Sequence, residues 1–123
     1  MLLVTTALER TWGSDEKILF LGEWCKLYNR KDIWLSRNSQ TLSDPWSDRG
    51  RRFNAYEFTE EVYKIALVSL AHSLNKKHNL NYPIRYWKIL CGPWLRIFIN
   101  STYHYWECIS DVIDTNKIID TIE

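Results

Sequence analysis

Residues 2–22 read LLVTTALERTWGSDEKILFLG, and the fold turns on how the two apolar runs in this stretch pair. Leu2-Leu3-Val4-Thr5-Thr6 is short, apolar and β-branched, which favours a strand. Ile18-Leu19-Phe20-Leu21 is a second strand closed by Gly22. Neither run alternates apolar with polar, as expected for strands covered on both faces. Gly13-Ser14-Asp15 supplies turn chemistry between them. The intervening segment is about the dozen residues a parallel crossover requires, and a hairpin stays open as the alternative. Ile33-Trp34-Leu35 reads as a third short strand.

Outward from this stretch the chain turns helical. Residues 36–53 are polar, contain Asp44-Pro45 and Asp48-Arg49-Gly50, and read as a loop whose Trp46 tucks back onto the body. Over 54–78, Tyr56, Tyr63, Ala66, Leu67, Leu70, Ala71 and Leu74 recur at helical spacings. Asn54 and Glu57 resemble a capping box, and Lys76, Lys77 and His78 suit the helix C-terminus. Pro83 then opens a second helix over 83–113. Its apolar stripe is Trp87, Leu90, Cys91, Trp94, Phe98, Tyr105, Ile109 and Val112, and this stripe is expected to be core. Pro93 removes one backbone hydrogen bond and predicts a kink. A tail over 114–123 follows, in which Ile118, Ile119 and Ile122 begin another apolar element.

The expected architecture is α/β: a small parallel sheet of two or three strands packed on a long two-helix hairpin. The 123 residues suit a single N-terminal domain or fragment. Two strands seldom stand alone, and the chain stops on a fresh hydrophobic turn. Both features predict an incomplete front lobe of a larger fold.

Composition narrows the function classes. Apolar residues make up 46% and charged residues 25%, values of a globular chain rather than a disordered one. Seven Trp, seven Tyr and four Phe supply enough large rings for a core at this length. The net charge of +1 is unevenly spread: residues 51–100 hold eight basic and three acidic side chains, whereas 101–123 hold one and five. The middle of the chain therefore suits anionic ligands, but the overall balance argues against a nucleic-acid partner. The longest nearly apolar run, residues 89–99, is too short for a membrane span. The first residues lack the basic region of a signal peptide. Cys25, Cys91 and Cys108 are odd in number and show no paired spacing, which favours reduced thiols and a cytoplasmic setting. Contact with the inner face of the membrane is compatible with that placement, because an aromatic stripe with flanking cations also suits a membrane surface.

The common phosphate-loop, dinucleotide, nucleophile-elbow and zinc-helix motifs are absent. No cofactor is implied and no metal set is predicted; His104, Glu107 and Cys108 share a helix face but lack a partner cluster. Two groups of side chains remain as candidates. The first follows the strands, since open parallel sheets bind ligands beyond their carboxyl ends. Thr6, Glu9 and Trp12 follow the first strand; Gly22, Glu23 and Trp24 follow the second. Glu9 or Glu23 is the candidate general base, and Trp12 or Trp24 the candidate stacking wall. The plainer alternative is that both carboxylates are solvated or pair with Arg10 and Arg30, while the indoles are core. The second group is Arg85, Lys88, Gly92 and Arg96, which share a face of the second helix opposite the aromatic stripe. Gly92 lets a ligand or another backbone come close, and the cations suit phosphate. The alternative is an ordinary solvated face. Cys25 beside Lys26 is a candidate reactive thiol without a supporting His.

Several runs resemble a known family. Thr5-Thr6-Ala7-Leu8-Glu9, Thr11-Trp12-Gly13, Phe20-Leu21-Gly22-Glu23-Trp24-Cys25 and Leu27-Tyr28 with Arg30 resemble the opening of a bacterial transferase family encoded among surface-polysaccharide and lipopolysaccharide biosynthesis genes. Leu74-Asn75 with His78, Arg85-Tyr86-Trp87, Ile89-Leu90 and Gly92-Pro93-Trp94-Leu95 resemble its next signature. The likeness covers roughly residues 2–107. It implies a glycosyltransferase-like protein that moves a sugar from a nucleotide-activated donor to a glycan acceptor. It also implies a missing C-terminal lobe or partner chain, because family members are several times longer. On this reading the isolated chain is inactive. The rival expectation is a non-catalytic helical protein–protein interaction module.

Overall fold

A computed structural model describes residues 1–115 together with the backbone of Asp120–Thr121. The chain divides into two compact units, Met1–Ser47 with Trp106–Glu123, and Asp48–Tyr105.

The first unit is built on a parallel sheet. Strand β1 (Leu2–Val4) pairs in parallel with β2 (Ile18–Phe20), Leu2 opposite Ile18 and Val4 opposite Phe20. Backbone bonds from Leu2 N to the Lys17 carbonyl and from Leu21 N to the Val4 carbonyl, both 2.9 Å, close the two ends of the ladder. The parallel expectation therefore holds, and the hairpin alternative does not. Leu2, Val4, Ile18 and Phe20, which share one face of the sheet, are at most 2% exposed; on the other face Leu19 is buried and Leu3 half-buried. Burying each such side chain contributes ~1.5–3 kcal/mol. From Trp106 onward the last long helix adds Cys108 and Val112 to this core.

The third strand lies elsewhere than the sequence suggests. Residues 33–35 belong to a short helix, α1 (Lys31–Ser36), and β3 is Ser39–Thr41, parallel to β2. Three apolar residues in a row fit either state. Here the helical turn lets Trp34 Nε1 donate to the Leu27 carbonyl at 2.9 Å. Strand β3 is polar and only half covered, so it has no hydrophobic signature. Backbone bonds hold its two ends, Ile18 N to Asn38 O at 3.1 Å and Leu42 N to Phe20 O at 2.9 Å. The backbone of β4 (Asp120–Thr121) pairs in parallel on the free side of β1, giving the order β3-β2-β1-β4. The expected apolar element at Ile118, Ile119 and Ile122 lies outside the described residues.

The second unit is a helical hairpin. Helix α2 (Arg49–His78) starts five residues earlier than the sequence suggests. Its cap is Asp48, whose carboxylate accepts from Arg51 N at 2.6 Å, rather than Asn54. The apparent loop over 36–53 thus contains β3, a 3-10 turn at Pro45–Ser47 and the first turn of α2. The helix ends at Asn79, which adopts the left-handed conformation (φ 53°) that terminates helices. Asn75 ties the connection: its amide donates to the Tyr82 carbonyl (2.9 Å), and its Oδ1 accepts from Tyr82 N (3.2 Å) and Trp87 Nε1 (2.9 Å).

Helix α3 (Ile84–Asp114) runs through Pro93. The buried row of α2 is Ala55, Thr59, Tyr63, Leu67 and Ala71, spaced by four. Tyr63 and Leu67 pack with Leu95 of α3, flanked by Ala66, Leu70 and Ile99. The face of α3 in contact with α2 is therefore the one bearing Gly92, Leu95 and Arg96. This reverses the expected orientation in the middle of the helix, while Trp87 and Val112 of the expected stripe are buried. Leu90, Trp94 and Phe98, assigned to the core from their spacing, are 63%, 59% and 54% exposed. Periodicity locates a stripe but does not say which stripe finds a partner.

The Gly92 position makes this orientation testable. A Cβ there would stand 2.7 Å from the Tyr63 hydroxyl. Gly92→Ala should destabilise by ~1–3 kcal/mol through overpacking, less the ~1 kcal/mol that alanine gains in a helix. In a Tyr63→Phe background the obstructing oxygen is gone, and the same Gly92→Ala change should turn neutral or stabilising. Urea unfolding of the four proteins measures this; equal effects in both backgrounds would contradict the packing.

Candidate functional site

The parallel strands send their carboxyl ends to one edge of the sheet, so the segments after β1 and β2 both begin there. Both segments are held by indoles. Trp24 Nε1 donates to the Thr5 carbonyl and Trp12 Nε1 to the Thr6 carbonyl, each at 3.2 Å. The Thr6 hydroxyl accepts from Leu8 N at 3.3 Å, and Thr11 Oγ1 donates to the Leu8 carbonyl at 2.7 Å. A 3-10 turn follows at Glu9–Thr11, and another, Glu23–Cys25, comes directly after Gly22.

Gly22 is required by space rather than by its dihedral angles, which are extended (φ −174°). A Cβ at this position would lie 2.0 Å from Trp24 Cζ3. The glycine thus admits the Trp24 ring, which is half-buried against the core. Trp12 is 3% exposed and meets Phe20 edge to face at 5.1 Å. Its ring is core and has no face to offer an acceptor; of the two predicted stacking residues only Trp24 retains exposed surface.

The two carboxylates differ sharply. Glu9 receives both nitrogens of a forked guanidinium, Arg30 Nε to Oε1 at 2.5 Å and Nη2 to Oε2 at 2.7 Å. These hydrogen bonds, more than the charge itself, hold the Glu9 carboxyl below its ordinary value, and they raise Arg30 in turn. A carboxylate so stabilised is a weak base, so Glu9 suits a clamp between the segments after β1 and β2. Glu23 pairs with Lys26 at 2.9 Å, and its side chain is 80% exposed. Lys26 Nζ also stands 5.3 Å from the Trp34 ring centre.

Cys25 is fully buried. Burial raises its thiol pKa against the opposing pull of neighbouring amides and Lys26, and its Sγ donates to the Val4 carbonyl at 3.5 Å. It is an inert packing thiol rather than the candidate nucleophile.

In the helical unit, two of the four predicted phosphate-binding positions are engaged. Arg96 pairs with Glu60 of α2 and lies over the Tyr63 ring at 4.2 Å. The space left by Gly92 is taken by the Tyr63 hydroxyl. Arg85 and Lys88 are exposed. Sequence reasoning missed Arg37, whose guanidinium donates to the carbonyls of Trp12 (2.8 Å), Gly13 (2.7 Å) and Ser14. Nothing in the local sequence announces that role, because its partners are backbone oxygens more than 20 positions away.

Among known protein families, residues 1–122 match the one described as LIC12162 family transferase. No curated protein and no solved structure matches.

Two outcomes test the local geometry. Gly22→Ala should cost ~1–3 kcal/mol and displace the Trp24 indole N–H resonance as its bond to Thr5 is lost; an unmoved resonance would contradict the packing. Acid unfolding should report the Glu9–Arg30 pair. Because the folded pKa of Glu9 lies below the ordinary 4.5, its stabilisation is complete above that value and disappears as pH falls through the depressed one. Between pH 7 and 3, Glu9→Gln should therefore lose less stability than the parent chain, and parallel profiles would contradict the pairing.

Proposed function

The chain belongs to the LIC12162 transferase family, and from that premise we propose that the carboxyl edge of its sheet takes part in moving a sugar from a nucleotide-activated donor during bacterial surface-glycan assembly. The observation that carries the reading is the strand order β3-β2-β1-β4 with all neighbours parallel. The chain steps from β1 to β2 to β3 in one direction and then returns to the far side of β1. In open α/β sheets, ligands bind outside the carboxyl ends of the strands at such a reversal. Here that position is occupied by the Thr5–Thr11 segment, held in place by Trp12, Trp24 and Arg30.

Within this edge Glu23 is the candidate base. Its exposed carboxylate is free of the forked guanidinium that lowers Glu9, and it could take the proton of an acceptor hydroxyl. Glu9 positions the edge through Arg30, and the exposed part of Trp24 offers a wall for a sugar ring. The sheet edge would touch the sugar of the donor and a C-terminal lobe or partner chain would complete the site, so the 123-residue chain alone should bind donor without turnover.

Chemical-shift mapping with UDP-glucose, GDP-mannose and CMP-sialic acid tests this. Shifts should concentrate in residues 5–12 and 22–25 for at least one donor, with no hydrolysis or transfer over the same period. Shifts confined elsewhere, or none with any donor, would overturn the site and favour a non-catalytic interaction module. Measurable turnover by the isolated chain would overturn the requirement for a second lobe.

A further inference from the structure

The face of the sheet opposite Leu2, Val4, Ile18 and Phe20 carries a feature that the carboxyl edge does not use. Leu19 of β2 stands beside Gln40 of β3 in the parallel register, so the two side chains share that face. A cavity of about 400 Å³ opens over them, lined further by Met1, Thr41, Leu42, Ser43 and Thr115. All of these residues belong to the unit built on the sheet. The volume lies within the range of small-molecule sites, roughly 300–1,000 Å³.

The lining has two parts. Leu19 is buried, and Met1 and Leu42 are half-buried against the same core cluster, which gives the cavity an aliphatic floor. Gln40, Thr41, Ser43 and Thr115 bear one amide and three hydroxyls. Thr115 Oγ1 donates to the Val112 carbonyl at 2.7 Å, which leaves its oxygen as an acceptor. Gln40 and Ser43 are exposed, and among the described residues their side chains make no hydrogen bond.

No lining side chain is charged. A phosphate or carboxylate placed here would lose water without gaining a counter-charge. The carboxyl edge is the reverse, with the ion pairs Glu9–Arg30 and Glu23–Lys26. A wholly apolar ligand would suit Leu19 and Leu42 but would cover the amide and hydroxyls without pairing them. The lining therefore selects a neutral ligand with C–H surface on one side and hydroxyls on the other. A sugar ring has that chemistry.

We propose that the cavity between Leu19, Gln40 and Thr115 binds one neutral sugar unit. Its assignment as part of the glycan acceptor rests on the sugar-transfer reading; the binding itself does not.

The test is chemical-shift mapping of the 123-residue chain with the methyl glycosides of glucose, galactose and N-acetylglucosamine, which carry neither nucleotide nor charge. At least one should shift the amides of Leu19, Gln40, Leu42 and Ser43 saturably at millimolar concentration. Because Gln40 and Ser43 are exposed, Gln40→Leu and Ser43→Lys should stay folded by circular dichroism. Each should weaken binding about fivefold or more, the first by removing the amide and the second by placing a long charged side chain at the cavity. Shifts at these amides from none of the glycosides, or affinity unchanged in both variants, would overturn the proposal. So would tighter binding of glucose 1-phosphate, or 1-hexanol binding there as tightly as the glycosides, since the cavity would then be an anion site or a plain apolar one. Nucleotide-sugar shifts over residues 5–12 and 22–25 report the donor edge, so a silent cavity beside a responsive edge defeats this proposal alone, and the converse defeats the donor reading alone.

Discussion

The parallel pairing of Leu2–Val4 with Ile18–Phe20 is the constraint from which the sheet unit follows. Parallel strands cannot be joined by a tight turn, so residues 5–17 must travel back along the sheet before β2 begins. That return leaves the backbone oxygens of Thr5 and Thr6 beyond the ladder, open to partners from outside the sheet. Two indole N–H groups supply them, Trp24 from the segment after β2 and Trp12 from the crossover itself. The Arg30–Glu9 fork and the Arg37 fan of carbonyl contacts add ties between the same segments. The candidate site is thus a by-product of closing a short parallel sheet.

Much of this was legible in the residues. Unbroken apolar runs announced strands covered on both faces, and the spacing over 54–78 announced a long helix. What escaped had physical reasons. Strand β3 is Ser-Gln-Thr, so only its backbone identifies it. Residues 33–35 are too few to distinguish helix from strand. The middle of α3 packs by a face other than the expected one because both of its faces carry apolar side chains, and the one that meets α2 is the one whose small residue, Gly92, leaves room for Tyr63. At the sheet edge, the segments after β1 and β2 do meet, but the sequence does not separate the roles of their side chains: Trp12 turns inward to Phe20, and Glu9 is tied by a residue 21 positions away.

The runs that carried the family resemblance prove to be rich in packing devices. Gly22 makes room for Trp24; Asn75 holds Trp87 and Tyr82; Gly92 receives the Tyr63 hydroxyl. Each couples a small or amide side chain to an aromatic ring at a fixed distance along the chain. The same sequence can therefore look distinctive for structural reasons while its chemistry rests on a few exposed groups, Glu23 above all.

The most direct test of the central claim is a through-hydrogen-bond coupling measured by NMR between the Leu21 amide nitrogen and the Val4 carbonyl carbon. The parallel register predicts a resolvable coupling there, and another from the Leu42 amide to the Phe20 carbonyl, both at 2.9 Å separations. Absence of both, with close contacts placing Leu2 beside Phe20 as an antiparallel hairpin requires, would contradict the account.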